Sequence, residues 1–107
     1  MNDVTFLEAA RKMAERMIVE GGATERARLA YGYALVLART PAGRQAEVLA
    51  RAFDKFAAEF RADPAAAAAF LRLGESPGRP GLDAAELAAY TSIASLILNM
   101  DEAITKE

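Results

Sequence analysis

The sequence predicts an all-α fold, a compact bundle of about five helices, on the strength of three observations. Alanine supplies 26 of the 107 residues, and alanine gives up almost no side-chain entropy in a helix. Apolar residues recur at steps of three and four, which places them on one face of a helix. Residues suited to helix starts, Thr24, Thr40, Asp63 and Asp83, stand where one apolar stretch ends and the next begins. Strand formers nowhere alternate convincingly. The length is that of one domain, 1–107, with a single core. The expected helices span approximately 4–20, 25–38, 41–61, 64–73 and 84–98, followed by a short C-terminal turn.

In the first helix Asp3 is placed to cap, and Phe6, Ala10, Met13 and Met17 form a stripe with Leu7, Ala14 and Ile18 beside it. Arg11, Lys12, Glu15, Arg16 and Glu20 fall on the opposite, solvated side, and Gly21-Gly22 ends the helix. Thr24 caps a second helix whose stretch from Ala30 to Ala38 is apolar all round, the pattern of a central, enclosed helix. Gly32 inside it would let another helix approach closely, and Tyr31 and Tyr33 lie on different faces.

Thr40-Pro41 reads as a cap followed by proline at the first helical position. The third helix then carries a stripe of Leu49, Phe53, Phe56 and Phe60, with Glu47–Arg51 and Lys55–Glu59 as i,i+4 pairs on the wet side. Three phenylalanines in one stripe suit the bulk of a core better than a groove for an apolar ligand. Asp63-Pro64 repeats the start signal, and a short fourth helix of five alanines, Phe70, Leu71 and Leu73 stops at Gly74. The prolines and glycines from Glu75 to Gly81 make a surface connector. Asp83 and Glu86 have capping-box spacing, and Leu82 and Leu87 the spacing of a hydrophobic staple. Leu87, Tyr90, Ala94 and Ile97 face one way in the fifth helix, Ile93 and Leu96 widen the stripe, and Ala88, Ser92 and Ser95 form a small-residue edge. Asn99 is expected to end it, with Asp101 capping a last turn through Ile104 and lying close to Glu102.

Composition removes several chemistries. Without cysteine there are no disulfides or thiolate metal sites, and without histidine the commonest general base and the usual zinc and haem ligand are missing. Catalytic, cofactor-binding and metal-binding residues are therefore none, and the chain is expected to act as something other than an enzyme. The net charge of −2 speaks against nucleic acid, but it is uneven: residues 21–53 hold five arginines against two glutamates, residues 73–107 six acids against Arg79 and Lys106. A meeting of those two segments in one patch would favour an adaptor; a deep pocket lined by acids would favour an enzyme. No run of about 20 apolar residues and no leader-like start is present, so a soluble chain is expected, with no membrane partner and no compartment indicated.

Three stretches carry a family likeness. Residues Asn2 to Arg11 read Asn-Asp-Val-Thr-Phe-Leu-Glu-Ala-Ala-Arg, Tyr33 through Pro41 follow a second pattern, and Leu98 to Glu107 read Leu-Asn-Met-Asp-Glu-Ala-Ile-Thr-Lys-Glu. They resemble the C-terminal helical part of domain of unknown function 1553, found in large planctomycete-type proteins that often also carry a cytochrome-c-like segment. The corresponding stretches there run Asn-Asp-Pro-x-Phe-Val-Glu-Ala-Ala-Arg, Phe-x-Leu-x-Leu-x-Arg-x-Pro-Thr and Leu-Asn-Leu-Asp-Glu-Phe-Leu-Thr-Lys-Glu. Val4 in place of proline, Gly43 in place of an acid and Ala103 in place of phenylalanine depart from the pattern. The likeness implies that this chain is the C-terminal fragment of a larger protein, that it carries over no catalytic residue, and that any export of relatives reaches it only by analogy. No Cys-x-x-Cys-His is present for haem.

The expected function is a non-catalytic helical packing or interaction module. Its partner is either the remainder of a larger parent protein or, for a stand-alone homo-oligomeric adaptor, another copy. Helices two and five are both apolar nearly all round, so an uncovered patch is expected at Ile93, Leu96, Leu98 and Met100.

Overall fold

A computed structural model describes residues 4–72 and 81–105, with side chains for 5–72 and 81–101. Five helices follow one another: α1 (Val4–Glu20), α2 (Glu25–Leu37), α3 (Gly43–Ala62), α4 (Pro64–Leu71) and α5 (Ala84–Thr105). The expected cap at Asp3, the stop at Gly74, the connector at 75–80 and the proximity of Asp101 to Glu102 lie outside the described residues.

Local chemistry accounts for most of the boundaries. Gly22 turns the chain out of α1 at φ +113°, a conformation that a side chain would strain. Thr24 caps α2, its hydroxyl oxygen accepting from the Ala27 N–H at 3.1 Å, and Asp63 caps α4 by accepting from the Ala66 N–H at 3.1 Å, with Pro64 at the first helical position. Asp83 caps α5, accepting from the Glu86 N–H at 2.9 Å. The carboxylate of Glu86 turns to Arg28 of α2, 3.6 Å away, so the capping box yields a tie between helices.

α5 is the element around which the others are arranged, since each of α1, α2, α3 and α4 packs on it. Its Leu87, Tyr90, Ile93, Ala94 and Ile97 are buried against Ala10, Met13, Ala14 and Met17 of α1 and Leu49, Ala50, Phe53 and Ala57 of α3. Phe53 and Tyr90 meet with ring centroids 4.4 Å apart, tilted by 41°, and side chains of this size contribute about 1.5–3 kcal/mol each when fully buried. Gly32 lets α1 and α2 close up, because a Cβ there would fall 2.6 Å from Met17 Sδ. Tyr33 is buried, whereas Tyr31, on another face of α2, donates to Glu20 and accepts from Arg16 of α1.

Several expectations need correction. α2 is not the central helix: only Leu29, Gly32 and Tyr33 are buried in it, and Ala34 and Leu35 face solvent. It is 13 residues long against the 22 of α5 and rests on the bundle from outside. Its last expected residue, Ala38, is instead a left-handed C-cap at φ 59°. Thr40-Pro41 does not start α3. Helix begins at Gly43 after Ala42, whose N–H donates to Gln45 Oε1 at 3.1 Å, so glutamine supplies the cap from the third helical position. α4 ends at Leu71, short of 73, and α5 runs through Asn99 to Thr105 with no separate terminal turn. Arg11 is not on a wet face. It is 4% exposed, and its Nη1 donates to the Leu71 carbonyl at 3.1 Å, satisfying an acceptor at the C-terminal end of α4.

Candidate functional site

The expected apolar patch divides. Ile93 is fully buried and leaves it, while Leu98 and Met100 are half-buried against the core and Leu96 is 41% exposed. Leu96 and Met100 border different depressions.

The first depression is a shallow groove, bordered by Leu7 of α1, Phe56 of α3, Phe70 of α4, and Ser92, Ser95, Leu96 and Asn99 of α5. Ser92 and Ser95 of the expected small-residue edge border it, whereas Ala88 is fully buried, and Ser92 turns back to donate to the Ala88 carbonyl at 3.1 Å. Below it Phe60 and Phe70 stack with centroids 5.7 Å apart.

The second depression lies where α2 ends, α3 begins and α5 nears its end. Tyr33 and Leu49 form its buried floor, Val48 and Met100 its apolar wall, and Arg44 and Gln45 its rim. Its volume, about 210 Å³, is below the range of roughly 300–1,000 Å³ typical of small-molecule pockets and suits inserted side chains. Val48 is 60% exposed. Beside it a second hollow is bordered by Val36, Leu37, Ala38, Arg39 and Asp101. Arg39 Nη2 reaches the Tyr33 hydroxyl at 3.5 Å and so joins the two hollows. Between them the two hollows carry two guanidinium groups and a carboxylate.

The basic and acidic segments of the sequence do meet. Arg28 faces Glu86 and lies 6.0 Å from the centroid of the Tyr90 ring, and Arg39 borders the same hollow as Asp101. Arg26 pairs with Glu47 at 2.9 Å. α2 lies on the outside of the bundle, and its Arg26 and Arg28 are engaged with carboxylates of this chain. At the other end of the α2–α3 contact, burial and the charge of Asp54 raise the pKa of Glu25, opposed by Arg26 and Arg61. Burial likewise raises the Tyr90 phenol, with Arg28 pulling the other way.

Among the described residues no three His, Cys, Asp or Glu side chains come together to hold a metal ion, and no helix is long and apolar enough to cross a membrane. The sequence singled out neither Val48, Arg44 and Gln45 of α3 nor Arg39 beyond the end of α2. The available signal was a valine between Arg44 and Arg51 on the otherwise polar side of α3.

Fold and surface define a small all-α domain built on one central helix, with an apolar, charge-bordered cleft at the α2–α3–α5 end. Among known proteins the chain matches no family model, no curated protein and no solved structure.

Proposed function

We propose that this chain is a non-catalytic helical interaction module that packs the cleft around Val48 and Met100 against another polypeptide. The observation that carries the reading is Val48, 60% exposed beside a cleft whose floor is already apolar. A single exposed valine is ordinary. Here it borders one hollow with half-buried Met100, and half-buried Val36 and Leu37 border the next; apolar surface of this kind marks interaction sites. The likeness to the C-terminal part of domain of unknown function 1553 supports a module that packs against the rest of a larger protein. The joint presence of Arg39, Arg44 and Asp101 on the cleft favours the second reading, a homo-oligomeric adaptor.

An apolar fluorescent dye tests the surface itself. At a concentration where the chain is monomeric, the native protein should bind the dye. Val48→Asp should abolish that binding while changing stability by no more than about 0.5 kcal/mol, as exposed substitutions do. Failure to bind dye, or equal binding by Val48→Asp, contradicts the reading.

A further inference from the structure

We propose that the partner covering this cleft is a second copy of the chain, bound about a two-fold axis passing beside Met100, so that Arg44 of each copy faces Asp101 of the other. This rests on the interaction-module reading and names its partner. A two-fold contact uses the same patch twice, so the patch must supply both halves of every complementary pair. This one does. Its apolar residues are Val48 and Met100 in one hollow and Leu37 in the next, with Arg44 on the rim of the first and Arg39 and Asp101 on the rim of the second. Met100 and Asp101 are consecutive on α5, so an axis beside Met100 exchanges the two rims.

The state of the arginines points the same way. Arg16, Arg26, Arg28 and Arg51 each face a glutamate of their own chain. Arg44 is exposed and, like Arg39, Arg61 and Arg72, has no ion-pair partner among the described residues; of these, Arg44 and Arg39 border the hollows. A cation left over beside an open apolar cleft fits an acid brought by the occupant. The chain presents that combination itself: Val48 and Met100 as apolar surface and Asp101, next to Met100, to meet the guanidinium. Asp101 has interactions within its own chain, and the pairing asks only that its charge lie opposite Arg44. The smallest specific interfaces bury about 600 Å² per partner, roughly a tenth of the 6111 Å² surface of this chain, so the dimer should be reversible and concentration-dependent.

The test is sedimentation velocity on the full chain and on Arg44→Glu, Asp101→Arg and Val48→Asp, each first shown by circular dichroism to keep its helicity. The native chain should pass from monomer to dimer as its concentration rises from about 1 μM to about 1 mM, a range corresponding to roughly 4 kcal/mol of association. Arg44→Glu and Asp101→Arg should each weaken dimerisation about tenfold or more, through like charges in both symmetry-related pairs. An equimolar mixture of those two variants should regain the dimer, because both pairs are then opposite in sign only between unlike copies. Rearrangement within one chain cannot produce that rescue. A mixture no better than its components overturns the proposal, as does a dimer that survives Val48→Asp. Dye binding abolished by Val48→Asp, with no dimer at any concentration, overturns the second copy and leaves the interaction reading standing. Neither dye binding nor dimer overturns both.

Discussion

Glu25, in the first turn of α2, illustrates how a side chain can work against the fold that holds it. Burial first, then the charge and hydrogen bond of Asp54, raise its pKa above the ordinary 4.5. A carboxyl group whose pKa is raised on folding binds more protons in the native state between the two values. Stability therefore falls as pH rises from 4.5 through the folded pKa, and the loss persists above it. Glu25→Gln should accordingly stabilise the protein at pH 7 more than at pH 4, as read by urea midpoints at the two values. An equal effect at both would show that Asp54 and burial do not control this group. Arg11 shows the same dependence on neighbours, since nothing in α1 indicates that the end of α4 will cover it. A residue that looks solvated on its own helix is buried because a carbonyl elsewhere needs a donor.

Helix ends were readable in the sequence wherever the cap is a side chain acting on its own turn. Thr24, Asp63 and Asp83 all accept from a backbone N–H three residues on. Thr40 fails because the residue three positions on, where a reciprocal acid or amide would stand, is Gly43, whereas Gln45 stands in that relation to Ala42. Thr24→Ala should thus cost about 1 kcal/mol in urea unfolding, and Thr40→Ala should leave the midpoint within about 0.3 kcal/mol. Equal losses would place the start of α3 at Thr40 after all. Asn99 misled in a similar way: its low helical preference is worth only tenths of a kcal/mol, too little to end a helix whose flanking Ile97, Leu98 and Met100 pack against the core.

At the scale of the whole molecule, periodicity identified five helices and most of the core but could not rank two helices that are apolar on every side. Length and connectivity decide that question, because α5 reaches all four neighbours while α2 keeps Ala34 and Leu35 in solvent. The site was less legible than the fold. Met100 was expected at an open surface, but Val48 and Arg44 come from α3 and join it only once the helices are packed. The proposed working surface is this cleft, in preference to the groove at Leu96. The most direct measurement is the dilution dependence of backbone amide chemical shifts across the native chain. The cleft account predicts changes concentrated at residues 36–39, 44–49 and 100–101, growing with concentration. Changes centred instead on Leu7, Phe70, Ser95 and Leu96 would contradict it, and no change up to about 1 mM would contradict its homo-oligomeric form.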